Sequence, residues 1–159
     1  MTYPSLRDFF DGHVIGDIPI NYNEFFNKAG LEIGEGKIET NFIQNAGELI
    51  IGGDGQKGTI FFTDLVKENS FWADNGAQPN DVIKNINGTV LTLLNANQVL
   101  QDVYMWKPGE DVVVKLDRDG KEIVIKTKTT QSYTIGEAIL EKEDATPKQI
   151  AIRQAWLKG

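Results

Sequence analysis

The residues that could carry out chemistry are few and widely spaced. The chain holds one histidine, His13, and no cysteine among its 159 residues. A zinc site needs several histidine, cysteine or carboxylate ligands close together, and a serine triad needs a histidine beside a carboxylate. The acidic pairs at 117/119 and 141/143 lie next to arginine or lysine, which is typical of a solvated surface. We therefore expect no catalytic centre, no metal and no other cofactor in this chain.

A glycine-rich segment, residues 53–58, has the spacing G-x-G-x-x-G that is found in loops binding dinucleotide phosphates. In those loops the last glycine opens a helix whose N-terminus receives the pyrophosphate. Here Gly58 is followed by Thr59, Ile60 and Phe61, which are β-branched or aromatic and predict a strand. The context argues against a nucleotide site and favours a loop between two strands.

Apolar periodicity predicts a sheet around this loop. The predicted strands are residues 37–43, 48–51, 59–65 and 81–86, and a hairpin turning at residues 117–120. Between the strands, residues 91–103 predict a helix whose apolar side carries Val99 and Val103. Capping-box sequences at residues 5–8 and 21–24 predict two short N-terminal helices, and Thr146-Pro147 predicts the start of a C-terminal helix.

A sheet with one packed helix and a glycine loop before an apolar strand is typical of modules that bind extended peptides. Such a strand can pair its backbone with a ligand while the helix offers side-chain pockets. Successive amides of a glycine-rich turn can also converge on a terminal carboxylate. The candidate peptide-binding residues are Gln56, Lys57, Gly58, Thr59, Ile60, Phe61, Asn95 and Val99. The alternative is a small β domain that only supports its neighbours.

Charge and hydropathy bear on the other classes of partner. The chain has 23 acidic and 16 basic residues, a net charge of −7, and the basic residues are scattered. This distribution disfavours nucleic acid and anionic membranes. There is no apolar run of about 18 residues, so we expect no membrane insertion, and we expect any export signal to lie upstream.

Residues 70–88, SFWADNGAQPNDVIKNING, resemble the S-P-A-x-x-A-G-L-x-x-G-D-x-I-x-x-I-N-G signature of bacterial PDZ domains. Asn80 replaces a glycine of that signature, and asparagine adopts positive φ more readily than most residues. The resemblance implies an α+β fold: a PDZ-like small antiparallel β-barrel or sandwich with two helices, flanked by short N-terminal helices and a C-terminal helix. It also implies that Gly58 and residues 59–64 form the carboxylate loop and groove strand, and residues 93–103 the groove helix.

The flanking segments carry a second resemblance. Residues 8–16 and 22–31 resemble the segment before the PDZ domain in the glycyl aminopeptidase family of zinc metallopeptidases, and residues 153–157 resemble its C-terminal helix. This implies an N-terminal helical flank at 1–34 that ends the peptidase domain, a PDZ-like domain at 35–130, and a C-terminal tail and helix at 131–159. It further implies an upstream peptidase domain that holds the zinc and acts as a partner, and a periplasmic or cell-envelope location.

Two hypotheses follow from the resemblance. In the first, the chain is a peptide-binding PDZ module of a bacterial zinc metallopeptidase that presents or senses extended peptides, so that its partner is a peptide or protein substrate. In the second, it is a structural packing module of the peptidase with no peptide ligand. The two differ in whether the cleft between residues 59–64 and 93–103 is open or filled by the protein's own side chains.

Overall fold

The structure of the protein is a computed structural model that describes residues 21–158. The helix predicted after residues 5–8, and His13, lie outside the described residues. Two compact units are present: residues 35–138 form the larger unit, and residues 21–34 with 139–158 are the described part of the smaller unit. The domain boundaries predicted at 34/35 and 130/131 stay a prediction.

The strands, in chain order, are β1 (Leu31–Thr40), β2 (Gln44–Asn45), β3 (Glu48–Leu49), β4 (Ile51–Asp54), β5 (Thr59–Phe62), β6 (Val82–Ile86), β7 (Thr89–Val90), β8 (Asp111–Arg118), β9 (Lys121–Lys128) and β10 (Ser132–Glu141). The helices are α1 (Tyr22–Lys28), α2 (Ser70–Asp74), α3 (Ala96–Tyr104) and α4 (Pro147–Lys158), and a 3-10 helix spans Asp64–Glu68. Of these, β2 to β9, the 3-10 helix, α2 and α3 lie wholly within the larger unit.

The larger unit is built on one antiparallel sheet. Its strand order is β4-β5-β6-β8-β9, with β7 paired to β6. A two-residue hairpin, β2-β3, and a two-stranded sheet of β1 and β10 are separate from it. The predicted α+β class with an antiparallel sheet is confirmed. The predicted barrel is wrong for the described strands, because β4 and β9 end the sheet and do not pair with each other.

The core lies between one face of this sheet and α3. On the helix, Ala96, Val99 and Val103 are buried, as the spacing of apolar residues predicts. They belong to one apolar cluster with inward side chains of β5, β6 and β8, among them Phe62 and Leu116. Because this packing uses one face of α3 and one face of the sheet, the opposite sheet face and the sheet ends are left to solvent or to other partners.

Large aromatic residues in α2 complete the core. Trp72 donates its Nε1–H to the carbonyl of Phe42 at 2.6 Å. Its ring centroid is 4.9 Å from that of Phe62, and the Phe71 and Phe42 rings meet edge to face, also at 4.9 Å. Edge-to-face and tilted pairs at this separation stabilise a core beyond their burial alone. The extra aromatic volume therefore joins α2 to the segment before β2.

Asn69, the N-cap residue of α2, is fully buried and joins four parts of the larger unit. Its Nδ2 donates to the carbonyl of Asn41 at 2.9 Å and to Oδ1 of Asn45 at 3.0 Å. Its Oδ1 accepts from the hydroxyl of Ser132 at 2.8 Å and caps the amide of Trp72 at 3.4 Å. A buried amide is stable only when its donors and acceptor are bonded, and Asn69 meets that condition.

The turn from α2 to β6 is fixed by an ion pair. Asp81 is fully buried, and its two carboxylate oxygens accept from Nε and Nη2 of Arg118, each at 2.7 Å. The same carboxylate accepts from the amide of Gln78 at 2.8 Å, and Nη2 of Arg118 also donates to the carbonyl of Gly76 at 2.8 Å. Asn80 has a φ of 67°, so asparagine takes the left-handed conformation expected of it. These bonds hold the signature turn against the end of β8.

Removing the arginine tests this arrangement. In Arg118→Met the Asp81 carboxylate stays buried without its cation, and we expect a loss of about 3–5 kcal/mol in the free energy of unfolding. The matched control is Lys128→Met, which breaks an exposed ion pair with Asp111 at 2.8 Å and is expected to cost less than about 1 kcal/mol. Urea denaturation of both variants measures the difference; equal losses would contradict the structural role of the pair.

Candidate functional site

The predicted peptide-binding residues fall in two places in the larger unit. Gln56, Lys57 and Gly58 lie in the loop after β4, and Thr59, Ile60 and Phe61 lie in β5, whereas Asn95 and Val99 lie at the start of α3 and within it.

The predicted groove strand, β5, is an interior strand of the sheet. It pairs with β4 on one side and with β6 on the other. At its end, the amide of Phe62 donates to the carbonyl of Asp81 at 3.0 Å, and the amide of Thr63 donates to the carbonyl of Ile50 at 2.9 Å. Because both sides of β5 are already hydrogen-bonded, a peptide has no free backbone groups there to pair with.

The space between β5 and α3 is filled by the protein's own side chains. Ile60 and Val99, two of the predicted site residues, are buried and belong to the same apolar cluster. A ligand could enter between them only by displacing the core. The use of Ile60 and Val99 as peptide contacts stays a prediction, and the geometry here favours a packing role.

The amides of the glycine loop are used within the loop itself. The Asp54 carboxylate accepts from the amides of Gln56 at 2.9 Å and Lys57 at 3.1 Å, and the amide of Gly58 donates to the carbonyl of Asp54 at 2.8 Å. The backbone hydrogen bond from Lys57, followed by that from Gln56 and the Lys57 charge, lowers the pKa of Asp54. The loop is therefore folded around its own carboxylate.

Asn95 shapes the segment that leads into α3. Its Oδ1 accepts from the amide and hydroxyl of Thr92 at 2.8 and 3.1 Å, and its Nδ2 donates to the carbonyl of Val90 at 2.7 Å. A backbone hydrogen bond connects this segment to the glycine loop: the amide of Leu93 donates to the carbonyl of Gly58 at 3.1 Å. Asn95 thus positions Leu93 beside the β4-β5 hairpin.

The free edge of the sheet next to this segment is β4. Since the carbonyl of Ile50 bonds to Thr63, and bonding alternates along antiparallel strands, Gly52 and Asp54 also face β5. The backbone groups of Ile51 and Gly53 therefore point away from the sheet. Within residues 21–158, they have no hydrogen-bond partner. Two N–H and two C=O groups thus form an open edge.

Gly53 gives this edge its shape. A Cβ atom built on Gly53 would lie 2.8 Å from Cδ2 of Leu93, so the glycine lets the leucine pack directly on the strand. On the other face, a Cβ on Gly52 would lie 2.9 Å from the Phe61 ring. Leu94 follows with its side chain 100% exposed. At Gly52 and Gly53 the edge is therefore bare backbone, with Leu93 on one face and Phe61 on the other.

The two edge strands of the sheet, β4 and β9, differ in charge. The outer strand β9 is eight residues long and carries Lys121, Glu122, Lys126 and Lys128. Charged side chains, lysine above all, protect an exposed edge from pairing with another strand. The strand β4 is four residues long, and Asp54 at its end is its one charged residue. By the criterion of charge, β4 is less protected against pairing than β9.

Two surface clefts lie in the larger unit, and one of them includes Asp54 at the end of β4. One, of about 220 Å³, brings together three predicted site residues, and it is lined by Asp54, Lys57, Thr59, Phe61, Asn80 and Val82. In it, Nζ of Lys57 lies 3.7 Å from Oδ2 of Asp54. A wider cleft of about 570 Å³ is lined by Lys37, Lys67, Glu68, Ser70, Ala73, Asp74, Tyr133, Thr134 and Ile135. Both clefts are open and of mixed charge.

Among the described residues, no three histidine, cysteine, aspartate or glutamate side chains gather closely enough to hold a metal ion. None of the described helices combines the length and apolar character needed to cross a membrane.

No protein-family model matches the sequence, and no curated protein matches it. The chain is similar to a solved structure described as an aminopeptidase N family protein from Idiomarina loihiensis, with 12% identity and a TM-score of 0.35. The match covers 94% of this chain and 26% of that one, so the chain spans about a quarter of that protein's length. A likeness of this size does not establish a common fold.

Sequence reasoning missed Ile51, Gly53 and Leu93 as edge residues. Two signals were available: adjacent glycines in a strand with a single charged residue, and a Leu93-Leu94 pair placed just before a helix. Neither signal states which strand lies at the edge, because that depends on pairing between distant segments.

The glycine loop has a pH dependence that can be measured. Because its pKa is lowered in the folded chain, ionised Asp54 stabilises the loop above the pKa of an unfolded aspartate, and this contribution is lost as the pH falls through the lowered pKa. We expect the amide shifts of Gln56 and Lys57 to titrate below the pKa of aspartate in a short peptide. NMR titration of the native chain and Asp54→Ala checks this, with Asp111→Ala as control. Titration at the peptide value would contradict the loop geometry.

Proposed function

We propose that the larger unit binds an extended peptide segment by adding it as a strand to the free edge of β4, beside the start of α3. The observation that carries the proposal is the outward pair of Ile51 and Gly53, whose backbone groups have no partner within residues 21–158. Strand addition takes its affinity from such groups and its specificity from the pockets beside them. Leu93 is the side chain that borders the edge here.

The expected affinity is modest. The edge offers two N–H and two C=O groups, and each backbone hydrogen bond contributes about 0.5–1.5 kcal/mol net. Apolar contact with Leu93 adds to this, while ordering of the peptide opposes it. The balance corresponds to a Kd in the range of about millimolar to high micromolar. Such binding suits a module that presents or senses peptides transiently.

The finer assignment is a PDZ-like module. It is supported by the resemblance of residues 70–88 and by the order of elements around them. Gly76 follows α2 with a φ of 80°, Asp81 precedes β6, and Asn87-Gly88 turns the chain into β7. Then α3 stands between β7 and the β8-β9 hairpin.

The wider role rests on the resemblance of the flanking segments. We propose that the chain belongs to a bacterial zinc metallopeptidase of the glycyl aminopeptidase family, and that zinc and catalysis belong to an upstream peptidase domain. In that role the chain has no catalytic centre of its own, its partners are a peptide or protein substrate and the peptidase domain, and it works in the periplasm or cell envelope.

A structural packing module is the second candidate, and a specific observation favours it. The cleft between residues 59–64 and α3 is filled by buried side chains such as Phe62 and Val103. If β4 also binds nothing, the larger unit serves only to support neighbouring parts of the protein.

Ligand chemistry separates the two candidates without altering the protein. We expect an alternating leucine–threonine hexapeptide, acetylated and amidated at its ends, to shift the amides of Ile51 and Gly53 at millimolar concentration. Two N-methylated versions of this peptide are then compared, one methylated at its odd residues and the other at its even residues. Because successive N–H groups of a strand point to opposite sides, only one version loses the N–H groups that face β4. That version should bind at least tenfold more weakly, while the other should keep most of its affinity. Equal effects of both versions would show that no strand is added.

Variants of the protein test strand addition to β4 in a second way. Gly53→Pro removes an outward N–H, and proline is tolerated at such edge positions. Gly53→Ala is the matched control, because it crowds Leu93 in the same way but keeps the N–H. Val124→Pro alters the opposite edge, since the bond from the amide of Thr129 to Glu110 leaves Val124 pointing outward. We expect only Gly53→Pro to abolish binding; a loss in Val124→Pro would place the site on β9.

A further inference from the structure

We propose that the β4 edge takes an internal segment of a polypeptide, not a free carboxyl terminus, and that this segment is neutral or basic. The inference rests on the proposed function of the edge and specifies its ligand. Three observations support it: the hydrogen bonds at the end of β4, those before its start, and the charges of the walls beside it.

At the end of β4, the amides that could receive a carboxylate are already bonded. Recognition of a terminal carboxylate needs successive N–H groups that converge on one point. The amides of Gln56 and Lys57 converge on Oδ1 of Asp54, at 2.9 and 3.1 Å, and the amide of Gly58 is bonded to the Asp54 carbonyl. The Asp54 carboxylate thus occupies the position that a ligand carboxylate would take. A second carboxylate would have to displace Asp54 and would be repelled by it.

Before the start of β4, neighbouring amides point in different directions. Two successive positive φ values, 47° at Ala46 and 94° at Gly47, form the turn of the β2-β3 hairpin. The chain leaves this hairpin with the amide of Ile50 donating to the carbonyl of Ile43 at 3.0 Å. Leu49 and Ile50 therefore cannot direct successive amides at one anion. This end of the edge, like the other, lacks a carboxylate nest.

The walls of the edge carry no positive charge that would replace such a nest. Neither β4 nor α3 contains a lysine or arginine; their charged residues are Asp54 and Asp102. The nearest cation in sequence, Lys57, already lies 3.7 Å from the Asp54 carboxylate. Because Lys57 offsets the charge of Asp54, the charge on these two elements that has no salt bridge among the described residues is that of Asp102, which favours a lysine or arginine over a ligand carboxylate. Surface pairs of this kind change affinity by about two- to fivefold.

Two libraries of the same random hexapeptides test the proposal on the full chain. In one library each hexapeptide ends in a free carboxyl group; in the other it is flanked on both sides by glycine–serine linkers. Binders from each are then titrated against the chain, with the amides of Ile51 and Gly53 as the readout. We expect binders from the flanked library, Kd values that change less than about twofold when a free carboxyl end replaces the linker, and enrichment of lysine and arginine over aspartate and glutamate.

Each other outcome has a distinct meaning. If binders came only from the free-carboxyl library, or if flanking weakened them more than tenfold, the inference would be overturned while strand addition to β4 stood. Enrichment of acidic residues would overturn the charge preference in the same way. If neither library shifted the two amides, the proposed function itself would fail, and this inference with it.

Discussion

The centre of the sheet in the larger unit is held by the ion pair between the buried Asp81 carboxylate and the partly exposed Arg118 guanidinium. These residues are far apart in the chain, and their two 2.7 Å bonds fasten the turn before β6 to the end of β8. The pair lies where β6 and β8 begin to pair, and β6 also pairs with β5 on its other side. Once β6 occupies that place, β5 becomes an interior strand and β4 becomes the end of the sheet. A buried charge pair is costly to form unless its remaining bonds are met, and Gln78 and Gly76 meet them.

The candidate site is the outer backbone of β4, which this strand order leaves unpaired within residues 21–158. Glycine at positions 52 and 53 removes side chains that would strike Phe61 and Leu93, so that aromatic and aliphatic groups close on both faces of β4 while its backbone stays accessible. Glycine in a strand weakens it, and close approach of another chain is a usual reason for its presence. The Asp54 loop and the Asn95 turn hold the end of this edge rigidly through side-chain to backbone bonds. A preformed edge lowers the ordering cost of binding.

Local features of the fold were predictable from the sequence. The hairpin between β8 and β9, the apolar face of α3 and the positive φ of Asn80 all follow from neighbouring residues. Two features were not predicted. The first is β10: Ile135, Glu137 and Ile139 all lie on the same exposed face, so the segment shows no apolar–polar alternation that would predict a strand. The identity of the edge strand could not be predicted, because it depends on which distant strands pair with one another and not on any local period.

The central claim is that a ligand pairs with the outward backbone groups of β4. The most direct measurement is a set of isotope-filtered NOEs between a bound peptide and the labelled chain. The account predicts NOEs from ligand backbone protons to the amides of Ile51 and Gly53, with slower hydrogen exchange at those two amides and no change at Gly52, which faces β5. NOEs confined to β9, or slowed exchange at Gly52 alone, would contradict it.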